Sequence, residues 1–425
     1  MNTPRTALVV GAGIAGLSVA YHLARRGVDV TVVEAEHVGA GASHGNAGWV
    51  DPLQTGPLPE PGLLRDGLRH LRSADAAMRI AVRDYPRLLP WLASFARHAT
   101  AHRYRDGTLA LAELGTRCFP LLDQLAADGV DFTRNDTGLL AVASDVRAVE
   151  AFLRVREPFR AAGFTLSRTI LDAAALRALE PALSERVRYG MELHDHVQID
   201  PGAFVAALAA HLRTRGVRIE EGHLVTGLTA PGPRAGVETG GGRRYADVVI
   251  VATGASTALI GKRFPVIGGR GYSFDVPVRT AVRRSILLLD AHIACAPIGG
   301  RLRIAGGMDF GPAARLSDRR LAPLARNAAV MLDGIDWTDR RHPWSGQRPV
   351  TPDGLPIIDR LPGHPGTYLT TGLSMLGMTL AAPAAEALTG YILDGTRPPV
   401  LAPFRADRFR RRLPPVPRYR LTVAL

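Results

Sequence analysis

Residues Ala7–Glu34 read ALVVGAGIAGLSVAYHLARRGVDVTVVE, and this stretch decides the fold of the chain. The apolar run Ala7–Val10 predicts a buried parallel strand. After a glycine-rich turn, apolar residues recur at helical spacing over Leu17–Ala24, and Gly27 ends the predicted helix. A second apolar run, Val28–Val33, predicts the next strand. The stretch is therefore a strand–turn–helix–strand unit.

The turn of this unit carries three glycines at the spacing of a dinucleotide-binding motif. Gly11 permits the tight turn, Gly13 lets a pyrophosphate approach the backbone, and Gly16 lets the helix pack closely on the strand. Glu34 ends the second strand, where an acid binds ribose hydroxyls. Because an acid there disfavours a 2′-phosphate, the motif favours NAD or FAD over NADP. The alternative, a secretory signal with Arg5 before an apolar region, is disfavoured because charged residues follow at once.

Composition limits the classes of protein that the chain can represent. The 425 residues, 46% of them hydrophobic, predict two domains with large cores, and no apolar run approaches the length of a membrane span. Two cysteines, Cys118 and Cys295, cannot form a disulfide framework, which favours an intracellular setting. The net charge of +13 would suit nucleic acid, an anionic membrane or acidic substrates. Since the arginines are scattered except near the C-terminus, and no nucleic-acid module is present, we interpret the charge as a solubility feature.

A second glycine-rich segment, Gly39–Gly48, follows Glu34 and precedes Trp49. Its small residues would let the backbone lie against a flat, rigid group. An ordinary flexible turn is the alternative interpretation. The position directly after a ribose-binding strand favours contact with a cofactor.

The rest of the sequence predicts an excursion followed by a return to the nucleotide-binding sheet. Asp200 and Pro201 open a helix, and Tyr245–Gly254 predicts a buried strand with a small-residue turn suited to a ligand crevice. A strand is predicted over 138–143, and short alternating runs over 268–310 predict a mixed or antiparallel sheet. The helices predicted after the first are 63–105, 109–127, 146–162, 202–215, 321–332 and 380–393.

Five blocks of sequence, taken in order, resemble the FAD-dependent amino-acid oxidoreductases of the D-amino-acid oxidase superfamily. The chain resembles most the small-subunit type of D-amino-acid dehydrogenase, and less the glycine and sarcosine oxidases. The resemblance extends from the N-terminus to about Arg397. The blocks are GAGIAG with Glu34, GAGASHGNAGW, DPGAFVAALAAHLRTRGV, ADVVIVATGA, and WSGQRPVTPDGLPIID with the later GLSMLGMT.

The resemblance implies an α/β fold with two domains. One is a Rossmann-type, glutathione-reductase-like FAD-binding domain, and the other is an α+β substrate domain with a mixed sheet that roofs the flavin. The implied FAD-binding domain is discontinuous and comprises residues 1–52, 195–262 and 343–425. The substrate or cap domain comprises residues 53–194 and 263–342.

The resemblance also implies which residues hold FAD. The glycine-rich turn would hold the pyrophosphate, Glu34 the adenosine ribose, and the backbone of Val225 the adenine. The loop after Glu34 would lie near the ribityl chain and the flavin ring. The implied contacts are Gly11, Ala12, Gly13, Ile14, Ala15, Gly16, Glu34, Ala35, Ala42, Ser43, His44, Asn46, Ala47, Gly48, Val225, Ala252, Thr253, Gly254, Gly346, Arg348, Gly372, Met375, Leu376, Gly377, Met378 and Thr379.

Two departures from the family pattern fall where the substrate would lie. Leu373 and Met378 stand where close relatives usually have His and Trp. His44 and Gly45 stand where relatives often have an aromatic residue and alanine. Sarcosine oxidases attach FAD through a cysteine near the block that contains Arg348, and because this chain has no cysteine there, we expect non-covalent FAD.

The implied activity is FAD-dependent oxidative deamination of a small amino acid in the D configuration, or of a related secondary amine such as a proline derivative. A hydride would pass from Cα to flavin N5 and leave an imine, while the protein orients a neutral amine. Arg348 is the first candidate to bind the substrate carboxylate, because a guanidinium binds a carboxylate in bidentate fashion. The alternative for Arg348 is a structural ion pair with Asp353. Arg303 and Arg270 are weaker candidates.

His44 and Met375 complete the predicted catalytic set. His44 is chosen for its place in the second glycine-rich loop, whereas the histidines elsewhere are expected to be structural or exposed. Met375 would form part of an apolar wall beside the flavin, or would be core. The backbone N–H groups of residues 372–379 and the following helix dipole would stabilise negative charge on reduced flavin. The histidines set aside are His194, His196 and His292.

Two other functions stay open on sequence alone: an NAD-linked dehydrogenase and a non-catalytic FAD-binding partner subunit. The electron acceptor is also open among oxygen, a quinone and a carrier. The basic tail Arg405–Arg420 predicts contact with an anionic membrane surface, or no contact. We therefore expect a cytoplasmic protein, or one at the periphery of the inner membrane face, with no metal.

Overall fold

The computed structural model describes residues 4–62, 78–80, 85–260, 264–311 and 316–409. Part of the helix predicted over 63–105 and most of the basic tail lie outside these residues. The described helices are α1 (Ile14–Arg25), α2 (Tyr85–His98), α3 (Ala101–Gly115), α4 (Cys118–Ala127), α5 (Val146–Ala161), α6 (Ala173–Leu179), α7 (Pro201–Thr214), α8 (Asp318–Ala329) and α9 (Gly377–Asp394).

The strands alternate with these helices in the first half of the chain and dominate the second half. The described strands are β1 (Thr6–Val10), β2 (Asp29–Val33), β3 (Trp49–Val50), β4 (Met78–Ile80), β5 (Arg134–Asn135), β6 (Leu139–Ala143), β7 (Leu171–Asp172), β8 (Tyr189–Leu193), β9 (Val197–Ile199), β10 (Arg218–Glu220), β11 (Val225–Leu228), β12 (Ala235–Thr239), β13 (Gly242–Ala246), β14 (Val248–Val251), β15 (Ile267–Pro277), β16 (Ser285–Leu288), β17 (Ile293–Ile298), β18 (Arg301–Phe310), β19 (Arg341–Val350), β20 (Ile357–Arg360) and β21 (Thr367–Thr371).

The first sheet carries the nucleotide-binding motif. In the described residues its strand order is β10-β2-β1-β14-β21-β20, and all neighbours are parallel except β20 and β21. β1 and β14 lie side by side and bury almost every residue, as expected for parallel strands covered on both faces. The predicted return of the chain to this sheet at Val248–Val251 is confirmed. This arrangement brings the carboxyl ends of β1, β2 and β14 to one edge.

The second sheet lies in the part of the chain predicted to cover the flavin. Nine described strands form it in the order β19-β15-β18-β17-β16-β6-β8-β7, with β4 paired to β18. The β16–β6 and β18–β4 pairs are parallel and the other pairs are antiparallel, so the sheet is mixed. The predicted fold class, a Rossmann-type domain with a mixed-sheet α+β partner, is confirmed.

Two predicted helices are interrupted. The described part of 63–105 contains strand β4, because Met78–Ile80 pairs with Met308–Phe310 of β18. The helix predicted over 109–127 is divided between α3, which ends at Gly115, and α4, which starts at Cys118. Pro120 in the first turn of α4 would clash with the carbonyl of residue 116 in a continuous helix.

The predicted domain boundaries stay a prediction. β19 crosses the predicted boundary at residue 343 and pairs with β15 in the second sheet. It is therefore an edge strand of the second sheet, although most of it falls in a segment assigned to the FAD-binding domain. The chain leaves that strand at Val350 and enters the first sheet at Ile357.

Candidate active site

Two glycines of the first turn, Gly11 and Gly16, perform the tasks that the sequence predicts for them. Gly11 has a φ of +108°, and a Cβ there would lie 2.6 Å from the carbonyl oxygen of Ala252. A Cβ on Gly16 would lie 1.9 Å from the carbonyl oxygen of Gly11. These contacts require glycine because the clashing atoms are backbone. Gly11 makes the turn, and Gly16 allows α1 to pack against it.

Gly13 meets a different neighbour. A Cβ there would approach only the hydroxyl oxygen of Ser43, at 3.2 Å, and that hydroxyl accepts a hydrogen bond of 3.0 Å from the Ile14 N–H. No acidic residue stands in the first turn of α1. Because the N–H groups of a first helical turn lack intrahelical partners, this end of α1 suits a phosphate group.

Glu34 lies beside this turn at the carboxyl end of β2. Its carboxylate accepts hydrogen bonds from the N–H groups of Ala12, at 2.7 Å, and Glu36, at 3.0 Å. The carboxylate is thereby held next to the glycines, where the ribose of a dinucleotide would follow its pyrophosphate. The Glu34 carbonyl also accepts from the His223 N–H, two residues before Val225, while Ala35 is exposed.

The turn after β14 completes this edge of the sheet. The Ala252 N–H donates to the Val10 carbonyl, and the Gly254 carbonyl accepts a hydrogen bond of 2.7 Å from the hydroxyl of Thr371. Thr253 donates through its hydroxyl to the Ser256 carbonyl. The predicted small-residue turn therefore stands directly against the glycine-rich motif.

The loop over residues 42–48 is held by its own polar groups. Asn46 donates to the Ala42 carbonyl at 3.0 Å and accepts from the Gly48 N–H at 2.8 Å. Gly48 has a φ of +73°, and a Cβ there would lie 1.8 Å from the Ile199 carbonyl oxygen. Ala47 is partly buried, next to Asn46. The loop is thus an ordered segment with a fixed backbone, which favours the cofactor-contact interpretation over a flexible turn.

The late glycine block, Gly372–Thr379, joins β21 of the first sheet to α9 and contacts β19 of the second sheet. Ser374 has a φ of +50°, and its N–H donates to the Pro349 carbonyl at 2.9 Å. A Cβ on Gly377 would lie 3.6 Å from the Ile14 side chain, so α9 begins beside the beginning of α1. The Thr379 hydroxyl accepts from the Asp51 N–H at 3.0 Å. Leu376 and Met378 are buried, Gly372 has a φ of +77°, and Met375 is 55% exposed.

Arg348 lies on β19, and its guanidinium covers Gly271 of β15. A Cβ on Gly271 would lie 2.2 Å from the guanidinium carbon. Nη1 of Arg348 donates to the Gly307 carbonyl at 2.7 Å and lies 3.9 Å from the sulfur of Met308. Burial lowers the pKa of Arg348 to about 10. No carboxylate of the described residues lies within ion-pair distance of it.

The alternative interpretation of Arg348, as one partner of a structural ion pair with Asp353, is wrong. Asp353 pairs instead with Arg408, whose Nε lies 2.7 Å from the carboxylate. Of the two weaker candidates, Arg303 forms an ion pair of 2.8 Å with buried Asp275. Arg270 donates to the Ser345 hydroxyl at 3.2 Å.

His44 and Met375 occupy different surroundings from Arg348. His44 is exposed, and its ring lies against Gly202 at the start of α7, 3.0 Å from the position that a Cβ would take there. No hydrogen bond or ion pair in the described part of the chain joins either residue to Arg348. Their catalytic roles stay predictions.

A buried acid–imidazole pair, not identified from the sequence, involves Asp51, shortly after the loop over residues 42–48. The Nδ1 atom of His196 lies 3.0 Å from the Asp51 carboxylate, and both side chains are at most 1% exposed. The ring of His196 also meets the edge of Trp49. The Asp51-Pro52 dipeptide is the signal that could have drawn attention to this acid, because Asp51 accepts from the Leu53 N–H as a cap. Nothing local pairs it with a histidine 145 residues away.

Three further expectations concern features outside this site. Among the described residues, no group of His, Cys, Asp and Glu is arranged to hold a metal ion. None of the helices in that part of the chain is long and apolar enough to cross a membrane. Membrane contact through Arg405–Arg420 stays a prediction, because residues after 409 lie outside the description.

A parallel sheet, a glycine-rich turn entering α1 and an acid at the end of β2 define a Rossmann-type dinucleotide-binding protein. The chain belongs to the DAO family of FAD-dependent oxidoreductases, whose model matches residues 6–391. It is therefore an FAD-dependent enzyme, and the NAD-linked and non-catalytic alternatives are set aside. That FAD is bound non-covalently stays a prediction.

Named relatives and solved structures agree with this assignment. The chain is 34% identical to a D-amino acid dehydrogenase of Cereibacter sphaeroides over 409 residues, covering 92% of each chain. It is 35% identical to D-amino acid dehydrogenase 2 of Pseudomonas aeruginosa, covering 92% of this chain and 95% of the relative. A glycine oxidase from Geobacillus kaustophilus shares the fold with a TM-score of 0.72 and 22% identity, over 96% and 99% of the two chains. The L-proline dehydrogenase from P. horikoshii gives a TM-score of 0.69 and 19% identity, over 97% and 99%.

Proposed function

We propose that the protein oxidises a small amino acid, in the D configuration, to the imino acid, with Arg348 binding the substrate carboxylate. The observation that carries the proposal is the half-buried guanidinium of Arg348, which has no acidic partner among the described residues. The names of the relatives from Cereibacter sphaeroides and Pseudomonas aeruginosa support the choice of substrate. A secondary amine such as a proline derivative is a related candidate.

A half-buried cation without a counter-ion is unfavourable, because part of its hydration has been lost without a compensating charge. A substrate carboxylate would supply that charge and accept two parallel hydrogen bonds from the guanidinium. Asp275, the buried acid on the same sheet, is already paired with Arg303. Arg348 is therefore the guanidinium best suited to an incoming anion.

The residues around the glycine-rich turn fit FAD. Gly13 has no side chain to obstruct the turn, Glu34 is fixed beside Ala12, and α1 presents its N-terminus to the same edge. When bound, FAD supplies the acceptor for the two electrons that leave the substrate with the Cα hydrogen. The protein's part is to orient the amino acid through Arg348 and to keep water away from the reacting atoms.

The N-terminus of α9 is suited to stabilise negative charge in the site. It begins at Gly377, beside the beginning of α1, with no acidic residue in its first turn. The positive end of its dipole would stabilise the negative charge of a bound flavin in its reduced form.

Rapid anaerobic mixing with a panel of D- and L-amino acids, glycine and proline tests the proposal. We expect a D-amino acid to bleach the flavin absorbance. Arg348→Ala should lower kcat/KM by about tenfold to a few hundredfold, because a hydrogen bond to a charged group contributes roughly 1.5–3 kcal/mol. Arg348→Lys should recover part of this loss, since lysine keeps the charge without the planar fork.

Arg243→Ala is the matched control, because Arg243 forms an exposed ion pair with Glu238 away from the site. FAD content and thermal stability, measured for every variant, separate loss of substrate binding from loss of fold. If Arg348→Ala is reduced at the parent rate and affinity, the carboxylate binds elsewhere. If no amine in the panel bleaches the parent flavin, the proposed substrate class is wrong.

A further inference from the structure

The indole of Trp344 is enclosed between two glycines on the face of the second sheet that carries Arg348. A Cβ on Gly45 would lie 2.3 Å from the ring, and a Cβ on Gly346 would also lie 2.3 Å from it. Both distances are far shorter than a carbon–carbon contact, so the ring is accommodated only because both positions lack a side chain. The side chain is partly buried.

The strand register places this ring beside the guanidinium of Arg348. Gly346 of β19 stands directly opposite Gly271 of β15. The benzo ring of Trp344 lies over Gly346, and the guanidinium lies over Gly271. Because opposite residues of an antiparallel pair have Cβ positions about 5 Å apart on the same face, the two groups are neighbours.

The surroundings of this pair are apolar. Met308 fills the space over Gly269, where a Cβ would lie 2.3 Å from its sulfur. Ser273 faces the same loop, but its hydroxyl is engaged with the Gly45 carbonyl at 2.6 Å. Arg348 thus lies among Trp344, Met308 and glycine backbone, while Asp275 and Arg303, further along the same face, neutralise each other.

We propose that Trp344 is a specificity-determining residue that contacts the side chain of the amino acid and selects apolar side chains. This inference rests on the proposed function, in which Arg348 binds the carboxylate. A carboxylate held by Arg348 places the substituent at Cα within reach of the neighbouring indole. An apolar substituent gains contact area there, whereas a charged substituent loses hydration without finding a partner.

A binding series separates this proposal from the proposed reaction. Acetate, propanoate and butanoate share the carboxylate and differ in apolar length, and their binding to the holoenzyme is measured by perturbation of the flavin spectrum. In the parent protein, affinity should rise along the series. Trp344→Ala should remove most of that rise and leave acetate affinity within about twofold, whereas Arg348→Ala should weaken all three acids alike.

Two further variants guard against misfolding. Trp344→Phe should retain part of the chain-length dependence, because phenylalanine keeps an apolar ring. Gly45→Ala keeps the tryptophan but adds a methyl group that would displace its ring, so it should also flatten the series. Trp337→Leu is the matched control, since Trp337 packs on the separate core that contains Phe274, and it should leave the series unchanged.

The kcat/KM ratio of D-leucine to D-alanine should fall by at least about tenfold in Trp344→Ala, on the scale of discrimination by apolar pockets. The proposal is overturned if Trp344→Ala weakens the three acids equally, or leaves the chain-length dependence intact. If the acids behave as expected but no amino acid bleaches the flavin, the proposed function fails while the assignment of Trp344 stands.

Discussion

Gly13 and Gly16 stand three residues apart, and the structure predicts different consequences for the same substitution at the two positions. A methyl group on Gly16 would meet the backbone oxygen of Gly11 at 1.9 Å, which the strand and helix cannot relieve without moving apart. A methyl group on Gly13 would approach only the Ser43 hydroxyl, at 3.2 Å. Gly16→Ala should therefore lower the free energy of unfolding by more than about 1 kcal/mol, as overpacking does.

Gly13→Ala should leave the stability of the FAD-free protein within about 1 kcal/mol of the parent and weaken FAD binding, because the methyl group would stand where a phosphate approaches the backbone. Urea unfolding of the FAD-free protein and titration with FAD measure the two effects. Equal losses of stability in both variants would contradict this division of roles.

At the scale of single residues, the features that depend on local geometry could be predicted from the sequence. The turn at Gly11, the packing at Gly16 and the acid after β2 follow from a spacing within one supersecondary unit. The pairing of His196 with Asp51 does not, because it joins residues far apart in the chain. The position of Trp344 depends on the register between β15 and β19, which no single segment encodes.

At the scale of the elements, a buried histidine, His22 of α1, lies where α1 packs against α9. His22 is 7% exposed and meets the edge of the Tyr21 ring. Burial lowers the pKa of His22 to about 4, and the charge of Glu386 opposes this shift only in part. In the unfolded chain, the imidazole titrates near its usual pKa of about 6.5. Between these values the unfolded chain binds more protons, so stability falls as the pH drops.

His22→Leu should remove this dependence. The parent should lose up to roughly 3 kcal/mol through His22 between about pH 6.5 and pH 4, on the scale of 1.36 kcal/mol for each unit of pKa difference. Urea midpoints measured at pH 7 and pH 4.5 should therefore converge in the variant relative to the parent. His102→Leu is the control, because that side chain is 85% exposed. A parent-like pH dependence in His22→Leu would show that His22 is not responsible.

Helices and strands with a clear period were predicted well, including α5, α7 and β14. The failures occurred where another element decides the outcome. Met78–Ile80 forms a strand because β18 offers it an edge, and α3 and α4 separate because Pro120 prevents one continuous helix. Apolar periodicity alone does not report either effect.

In the whole molecule, a short segment joins the strand that carries Arg348 to the first sheet. The chain passes from Arg348 on the second sheet to Ile357 on the first through a tight loop that includes Asp353. Burial alone would raise the pKa of Asp353, but the guanidinium of Arg408 and the Leu355 N–H hold it below its usual value. Arg408 also donates to the Leu355 carbonyl at 2.7 Å. The C-terminal segment therefore fixes the loop that follows the proposed carboxylate-binding strand.

Removing one partner of a buried ion pair leaves the other charge without compensation, which costs roughly 3–5 kcal/mol. Arg408→Ala should approach this loss, because the side chain of Asp353 is only 9% exposed. Arg405→Ala, which breaks an exposed pair with Asp407, should leave stability close to that of the parent, because exposed ion pairs contribute little. Combining Arg408→Ala with Asp353→Asn should recover part of the loss, since the buried charge is then gone. Urea unfolding of the four proteins measures these differences, and equal effects of Arg408→Ala and Arg405→Ala would mean that the C-terminal segment does not hold the loop.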